Sequence, residues 1–379
     1  MRKLDIIIVG GGLGGLAAAI ALEKLGHNII VLEKAKELRE VGAGITIQIN
    51  GMKALQQLGI DQEVITQGQP IKKAGIYSWN GQEISIDPLD ELTELFNAPC
   101  VGIHRGKLQK ALLKYVPKNR IKLNHIVENY FEKDKKVHVI TSDGEEFIGD
   151  LLIGADGVHS KVRTLLNHQI HHNYAGYSIW RAICKRPSFL DSNISVSWGD
   201  ERRFGIVPIS QSEVYWFATN KTPPEDFNIE YEDIIQHISS LFDNWHSPIQ
   251  ELIKATSPES ISRTKIADRD MSLPWGTGSV TLLGDAAHMM TPNLGQGCCQ
   301  SFEDAVVLAN CLGKSGSIEE DLREYESRRH KRAQDTVLLA REIGIRGHKQ
   351  GAWEEALNAK DDEKPLNLKD RYWLYDFVV

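Results

Sequence analysis

The chain has 379 residues, of which 41% are hydrophobic and 25% are charged, proportions that are ordinary for a folded globular protein. This length predicts two domains, or one domain with a sizeable insertion. The formal net charge of −7 argues against nucleic acid or an anionic membrane as the main partner, and no stretch approaches the ~20 apolar residues of a membrane span.

The amino terminus is predicted to be a buried strand rather than a signal peptide. Its apolar run, Ile6–Val9, is too short for the hydrophobic region of a secretory signal. The five cysteines are an odd number and include no Cys-x-x-Cys pair, which is typical of a reducing compartment. We therefore expect a cytoplasmic protein.

A glycine turn, Gly10–Gly15, follows this strand with the spacing G-x-G-x-x-G. Residues 16–22 then predict a helix, and Ile29–Leu32 predict a second buried strand, which completes a βαβ unit of mononucleotide-binding size. Glu33 ends that strand, where its carboxylate could accept a hydrogen bond from a ribose hydroxyl, although a solvated carboxylate is the alternative. The motif predicts a dinucleotide without distinguishing FAD from NAD. The residues predicted to hold it are Gly10, Gly12, Leu13, Gly14, Gly15, Glu33 and Lys34.

Later elements follow from periodicity and turn residues. Between about residues 174 and 220, short strand-like runs replace the continuous apolar runs that are typical of buried strands. They predict a mainly antiparallel sheet in a second domain. After about residue 300 the pattern is helical. The other predicted elements are a helix at 106–115, a hairpin at 136–148 and buried strands at 151–153 and 279–283.

Two further glycine-bearing segments lie at 154–163 and 284–297. In the second, Asp285 follows a strand, and a carboxylate there can accept hydrogen bonds from a sugar-alcohol chain. Gly295–Gly297 then opens a helix, whose free N–H groups can stabilise negative charge at one edge of a ring.

With these three motifs in this order, the sequence up to about residue 340 resembles the single-component (group A) FAD-dependent aromatic hydroxylases. It looks closest to the urate hydroxylase and zeaxanthin-epoxidase-like branch. The resemblance implies an α/β fold, with a Rossmann-like FAD-binding domain of glutathione-reductase type, an inserted mainly antiparallel substrate sheet and C-terminal helices. The implied ranges are 1–75, 100–170 and 265–345 for the FAD-binding domain, 76–99 and 171–264 for the substrate domain, and 346–379 for a helical tail.

The resemblance also implies cofactor contacts. Asp285 would contact the ribityl chain, and Pro292–Gly297 would lie against the isoalloxazine. Asp156-Gly157 would serve both FAD and the nicotinamide donor. Arg105 would reach the FAD, the alternative being a surface arginine at a helix start. The additional residues implied to bind the cofactor are Gly44, Arg105, Asp156, Gly157, Asp285, Pro292, Gly295, Gln296 and Gly297.

The implied reaction uses NADH or NADPH and O2, and proceeds through a flavin C4a-hydroperoxide that hydroxylates a small aromatic or heteroaromatic substrate, urate-like or salicylate-like. No second G-x-G-x-x-G motif precedes an acid-ended strand, so the nicotinamide is expected to visit transiently. No metal is expected. His171-His172 is an unlikely pair of ligands, since adjacent strand residues point to opposite faces.

The substrate is expected on the second-domain sheet, near Arg203, Phe204, Tyr215 and Trp216. By the resemblance to urate hydroxylases, Arg203 and Tyr215 line the active site as catalytic residues. Strand alternation allows only one of Arg202 and Arg203 to face inward, and the motif favours Arg203. Alternatively, Tyr215 and Trp216 are ordinary strand residues.

The remaining residues of interest have weaker interpretations. Trp180-Arg181 matches a family position, but strand packing is favoured there. Gln48 could touch flavin or substrate. Cys298-Cys299 starts a helix, where a thiol pKa can fall, but packing is favoured over redox chemistry.

Other functions stay open at this point. They are an antibiotic-inactivating monooxygenase, a prenyl-lipid epoxidase, reductase or desaturase, and a non-catalytic flavin-binding regulator. A flavin halogenase is disfavoured because its tryptophan-rich signature is missing. A monomer or homodimer is expected.

Overall fold

The computed structural model describes residues 3–38, 43–167, 171–229, 231–271, 274–314, 316–360 and 368–377. Part of the predicted C-terminal tail, 361–367 and 378–379, lies outside the described residues.

The strands in chain order are β1 (Asp5–Val9), β2 (Asn28–Glu33), β3 (Gly44–Ile47), β4 (Gln69–Ile71), β5 (Lys73–Ser78), β6 (Glu83–Pro88), β7 (Cys100–His104), β8 (Ile121–Leu123), β9 (Val127–Lys133), β10 (Lys136–Thr141), β11 (Glu146–Gly149), β12 (Leu151–Gly154), β13 (Asn173–Lys185), β14 (Ile194–Gly199), β15 (Arg202–Pro208), β16 (Glu213–Lys221), β17 (Ser262–Asp268) and β18 (Val280–Leu282).

The helices pack around these strands. In chain order they are α1 (Leu13–Lys24), α2 (Ile49–Leu58), α3 (Asp61–Gln67), α4 (Leu89–Phe96), α5 (Arg105–Leu113), α6 (Lys161–Asn167), α7 (Ile234–Leu241), α8 (Ile249–Lys254), α9 (Asp285–His288), α10 (Gly297–Cys311), α11 (Ile318–Gly347), α12 (Ala352–Asn358) and α13 (Leu368–Tyr375).

A parallel sheet carries the first glycine turn. Its strand order is β18-β12-β1-β2-β8, and Ile6–Ile8 of the central strand are almost fully buried. Strands covered on both faces need a continuous apolar run, which the sequence showed. The predicted βαβ unit is therefore confirmed as β1, α1 and β2, and the α/β fold class with it.

A seven-stranded sheet forms the second large layer, in the order β17-β13-β16-β15-β14-β5-β6. All its pairings are antiparallel except that of β14 with β5, so the predicted antiparallel character is confirmed. Its strands come from 73–88, 173–221 and 262–268, close to the ranges expected for the substrate domain. The division into domains stays a prediction.

This large sheet has two different faces. Trp180, Phe204 and Trp216 point to one face, where they pack with residues of α7 and α8. Arg203 and Tyr215 point to the opposite face, because side chains alternate along a strand.

A small sheet, β3-β7-β4, meets the face that carries Tyr215. A Cβ atom on Gly44 would lie 2.3 Å from the Cβ of Tyr215, and a Cβ on Gly102 would lie 2.1 Å from the carbonyl oxygen of Pro208. Only glycine permits this approach of two backbones. The small sheet therefore packs directly against β15 and β16, and it connects these strands to the part of the molecule that contains the parallel sheet.

The remaining predicted elements differ little from the structure. The hairpin is confirmed as β10 and β11, and the helix after 300 as α10 and α11. His171 and His172 precede β13 rather than lying on a strand, so the strand argument against a shared metal was wrong in its premise. Within the described ranges, no helix is both long and apolar enough to cross a membrane.

Candidate active site

The first glycine turn needs glycine at two positions for steric reasons. Gly10 has φ +110°, and a Cβ there would lie 2.3 Å from the carbonyl oxygen of Ala155. A Cβ on Gly15 would lie 2.0 Å from the carbonyl oxygen of Gly10. These glycines pack the start of α1 against β1 and the segment after β12.

Gly12 is different, because no atom lies within 4 Å of a Cβ placed there. Gly12 is also the N-cap of α1, and no side chain caps that helix. The free N–H groups of the first helical turn, with the positive end of the helix dipole, suit an anion in this open space. Leu13 is buried, and Gly14 meets Leu283 and Ser301, so both offer only backbone groups to that space.

Glu33 lies beside this turn. Its carboxylate accepts hydrogen bonds from the backbone N–H groups of Gly11 at 2.6 Å and Ala35 at 2.8 Å, and lone pairs remain on both oxygens for a hydroxyl donor. Lys34 is exposed and is not among the residues that line the adjoining cleft, so its role as a cofactor contact stays a prediction. The cleft is lined by Gly11, Gly12, Glu33, Ala35, Lys36, Glu37, Leu38, Arg105 and Gln109.

Lys36 and Gln109 were missed from the sequence. Gln109 donates a hydrogen bond to the carbonyl oxygen of Gly11 at 3.0 Å, and it reaches the turn from α5. The only available signal was its position on the helix that starts at Arg105.

Asp156 caps a helix in the structure. Its carboxylate accepts hydrogen bonds from the Ser160 hydroxyl and from the backbone N–H groups of Lys161 and Val162, at 2.5, 2.7 and 3.2 Å. The side chain is thus occupied at the start of α6. Gly157 has φ +79°, and no atom lies within 4 Å of a Cβ placed on it, so only backbone at this segment is open to a ligand.

Asp285 is the first residue of α9 and is exposed to solvent. Burial by the surrounding atoms raises the pKa of the Asp285 carboxyl group, although the nearby His288 and Arg105 act to lower it. Solvent still reaches the side chain. Among the described residues, no donor is hydrogen-bonded to its carboxylate. A Cβ on Gly297 would lie 3.8 Å from its Oδ1, which places it at the start of α10. A carboxylate in this position is available to ligand hydroxyl groups.

The turn Pro292–Gly297 starts α10. Gly295 has φ +65°, and no side chain caps the helix at Gln296. The Gln296 side chain is fully buried and donates to Gln48 and Asn50 at 2.9 and 3.0 Å. Gln296 can therefore meet a ligand only through its backbone, whereas the N–H groups of the first turn of α10 are open.

A buried ion cluster supports this turn from behind. Glu303 accepts two hydrogen bonds from Arg332, both at 2.7 Å, and it also pairs with Arg329. Arg329 pairs in turn with Asp304 at 2.7 Å. Burial opposes ionisation of Asp304, but the charges of His288 and Arg329 outweigh it and hold its pKa at about 2. The sequence showed only a charged helical stretch here.

On the large sheet, Arg203 faces the turn and Arg202 does not. Arg203 donates to the side-chain oxygen of Asn293 and lies 3.4 Å from His348 Nδ1. Its side chain is 5% exposed, its Nε has no partner, and within the described chain no carboxylate is paired with it. Arg202 instead donates to Asn220 on the other side. The choice of Arg203 over Arg202 as the inward residue agrees with this geometry.

Tyr215 lies on the same face but away from Arg203. It is paired with Val207 across the strands, and Arg203 is paired with Thr219, so four residues, or ~13 Å, separate them. Burial raises the pKa of Tyr215, and the nearby Arg181 opposes the rise. The arginine beside Tyr215 is therefore Arg181, which the sequence interpretation noted only as a matched position.

Two of the predicted substrate residues lie elsewhere. Phe204 and Trp216 stack at 5.4 Å on the face covered by α7 and α8, together with Trp180. Their placement at the substrate was wrong, since alternation sends them to the face opposite Arg203 and Tyr215.

The face that carries Tyr215 also has several apolar side chains that are only partly buried in the middle of the sheet. They pack against buried residues of the same face, Tyr215 and Trp198 among them, and partly exposed apolar side chains of this kind commonly border a bound ligand. They are Ile183, Ile194, Val196 and Phe217.

Cys298 and Cys299 do not have activated thiols. Burial raises the pKa of both, to about 12 for Cys299. A helix start can lower a thiol pKa, but burial dominates here. The favoured interpretation, packing rather than redox chemistry, agrees with this direction.

Three observations together test whether a dinucleotide with a ring system fits. Gly12 leaves open space at an uncapped helix start, the exposed Asp285 carboxylate has no hydrogen-bond donor among the described residues, and α10 offers a second uncapped helix start. An extended ligand with a pyrophosphate, a polyhydroxyl chain and an electron-rich ring edge matches all three.

Comparisons with known proteins give the same picture. A family model described as FAD binding domain matches residues 3–340. Aurachin C monooxygenase/isomerase of Stigmatella aurantiaca is 40% identical, over 96% of this chain and 94% of that protein. FAD-dependent urate hydroxylase of Klebsiella pneumoniae subsp. pneumoniae is 33% identical, over 96% and 97%. The crystal structure of Klebsiella pneumoniae HpxO with FAD and uric acid has a TM-score of 0.88 at 30% identity, over 95% and 94%.

Proposed function

Because the chain belongs to the FAD-binding family of flavin-dependent monooxygenases, we propose that it hydroxylates a small, acidic aromatic or heteroaromatic compound. The enzyme is an FAD-dependent monooxygenase. NADH or NADPH as a transient donor, and O2 as oxidant, are parts of the proposal.

The cofactor's place in the proposal follows the open groups of the site. The start of α1 binds the pyrophosphate, Glu33 the ribose, Asp285 the ribityl chain and the start of α10 the ring edge. The chemistry that FAD supplies when bound is acceptance of a hydride from the nicotinamide and activation of O2 for transfer of one oxygen atom.

The substrate would lie on the sheet face that carries Arg181, Arg203 and Tyr215. Two guanidinium groups without a paired carboxylate among the described residues favour an anionic ligand, since an arginine fork matches carboxylate and similar oxygens. The raised pKa of Tyr215 keeps its phenol protonated at neutral pH, so it acts as a hydrogen-bond donor rather than a base.

The apolar side chains of this face would have a separate task. Ile183, Ile194, Val196 and Phe217 would cover the planar substrate and exclude water from the reacting atoms, which prevents wasteful side reactions of a reactive intermediate.

The observation that carries this proposal is the hydrogen bond between Arg203 and Asn293. It joins the charged face of the large sheet to the turn that opens α10. A substrate bound by this face would therefore lie next to the ring-binding end of the cofactor site.

The test is to purify the protein, record its visible spectrum, and follow NADH and NADPH oxidation with O2 uptake in the presence of aromatic acids, urate and salicylate included. We expect bound flavin, and nucleotide oxidation that an acidic aromatic compound stimulates with formation of a hydroxylated product. A colourless protein that gains no FAD would contradict cofactor and family function alike. Flavin without stimulated oxidation by any compound would favour a non-catalytic regulator.

A second candidate substrate is aurachin C, or a compound similar to it. The specific support is the set of partly buried apolar side chains on the face that carries Tyr215, together with 40% identity to that relative. Stimulation by aurachin C, with none by urate or salicylate, would select this candidate.

A further inference from the structure

The C-terminal helix α13 is anchored through its carbonyl end. Arg332 and Lys53 donate hydrogen bonds to carbonyl groups in and just after the last turn, at 2.8 to 3.0 Å. The last carbonyls of a helix have no partner within the helix, and cations near them are favourable. The accepting carbonyls are those of Trp373, Leu374, Tyr375 and Phe377.

One of these anchors belongs to the ion cluster behind the turn that opens α10. Arg332 binds Glu303 with two hydrogen bonds at 2.7 Å while it donates to α13. Glu303 also accepts from Asn50 at 2.7 Å, and Asn50 is bonded to Gln296. The end of α13 is thus connected to the turn through buried, charge-assisted hydrogen bonds, which are stronger than neutral ones.

Tyr375 makes a shorter connection. It is 2% exposed, and its hydroxyl donates to Gln48 Oε1 at 3.2 Å. The same oxygen accepts from Gln296 at 2.9 Å, and the Gln48 amide nitrogen donates to the carbonyl oxygen of Leu294. Two hydrogen bonds therefore separate the Tyr375 hydroxyl from Leu294 and Gln296, both in the turn.

Packing alone does not account for this hydroxyl. The Tyr375 ring packs against Phe96 at 6.3 Å, a contact that phenylalanine would make equally well. Burial raises the pKa of Tyr375, so its hydroxyl is a permanent donor. Gln48 with its oxygen and nitrogen both engaged is held in one orientation.

We propose that Tyr375 is a positioning residue: through Gln48 it fixes the turn Pro292–Gly297 and hence the N–H groups at the start of α10. The family match ends at residue 340, so α13 adds a support from outside the matched region. This inference rests on the proposed function, in which that helix start meets the flavin ring.

The test uses the full-length variant Tyr375→Phe, with Tyr372→Phe as matched control. Tyr372 is on the same helix, packs on the same Phe96 ring at 5.2 Å, and is 39% exposed. The first readout is hydrogen–deuterium exchange of the backbone amides of residues 293–300 in FAD-free protein. The second is the reduction potential and visible spectrum of the flavin in FAD-loaded protein.

We expect Tyr375→Phe to speed exchange in the turn on the order of tenfold, the equivalent of one lost hydrogen bond, and to shift the flavin potential. Tyr372→Phe should change neither. Gln48→Met should have the same effect as Tyr375→Phe. It takes the place of Tyr375→Phe in the test if Tyr375→Phe does not fold.

A lower unfolding temperature with unchanged exchange and potential would mean a purely structural role and overturn the inference. A wild-type protein that binds no FAD would instead overturn the proposed function, while the exchange measurement on FAD-free protein would still decide whether Tyr375 holds the turn.

Discussion

Arg203 on β15 donates a hydrogen bond to the side-chain oxygen of Asn293, a residue ninety positions further along the chain. The Asn293 amide nitrogen donates in turn to the Tyr177 hydroxyl and to the carbonyl oxygen of Ala340, both at 2.9 Å. A single asparagine side chain thus connects the large sheet, the turn before α10 and the long helix α11. The substrate face and the turn are held in one relative position.

Arg203→Lys should lower substrate-stimulated turnover at least about tenfold, because a lysine point charge cannot replace a planar fork that holds Asn293. Flavin content should stay unchanged, since Arg203 does not line the cleft beside the first glycine turn. Steady-state kinetics and the absorbance of bound flavin measure the two effects. Loss of flavin with normal turnover per flavin would contradict this placement of Arg203.

Gly12→Ala should impair FAD binding, whereas Gly15→Ala should impair the stability of the fold. A Cβ on Gly12 meets nothing within 4 Å, whereas one on Gly15 lies 2.0 Å from the Gly10 carbonyl oxygen. Gly12→Ala should keep the unfolding temperature of FAD-free protein and weaken FAD binding, because the methyl group enters the phosphate space. Gly15→Ala should lower the unfolding temperature itself. Equal FAD affinity in Gly12→Ala and wild type would argue against a phosphate at α1.

Asp285→Ala should raise the dissociation constant for FAD about 10- to 100-fold, because a change of this size corresponds to the loss of hydrogen bonds to a charged group. The carboxylate has no protein donor among the described residues, so the folded FAD-free protein should lose little stability. Asp335→Ala, which removes an exposed carboxylate paired with Lys331, is the control. Fluorescence titration with FAD gives both dissociation constants, and an unchanged constant for Asp285→Ala would refute its role.

Acid should weaken the fold through Asp304. Its pKa is about 2 in the folded protein and ~4 in an unfolded chain. A carboxyl group with a depressed folded pKa stabilises the protein above its unfolded pKa and loses this effect as pH falls toward the folded value. Roughly 2 kcal/mol should be lost between about pH 4 and pH 2.

Urea unfolding of the wild type and of Asp304→Asn across that pH range measures the contribution of Asp304 to the free energy of unfolding. The difference in unfolding free energy between the two proteins should shrink as pH falls from 4 to 2. A difference that stays constant over this range would show that Asp304 is not ionised with a depressed pKa.

Much of the cofactor side was predictable because its signals are local. The turn at Gly10–Gly15 combines a buried strand, two glycines at which a Cβ would clash, Gly10 and Gly15, and a helix start within a dozen residues. Asp285 and Gly295–Gly297 likewise lie in one short segment, between a strand and a helix start. Backbone geometry within one short segment requires these residue types, so the printed sequence already contains the pattern.

The substrate side was predictable only in part. Alternation showed that Arg202 and Arg203 face opposite ways, and the resemblance selected Arg203, but Phe204 and Trp216 were placed on the wrong face. An apolar strand residue has the same signature whether it lines a chamber or packs beneath helices. The covering of one face by α7 and α8 settles which it is.

The sequence alone determined that the chain folds around a dinucleotide turn and places an acid and a second glycine turn after a later strand. Tertiary structure alone decided that Arg181 lies beside Tyr215, that Glu303 is buried against Arg332, and that Tyr375 reaches Gln48 across 327 residues. These contacts join distant segments. A charged or hydroxyl side chain at helical spacing looks the same in sequence whether it meets water or a buried partner, and only packing distinguishes the two.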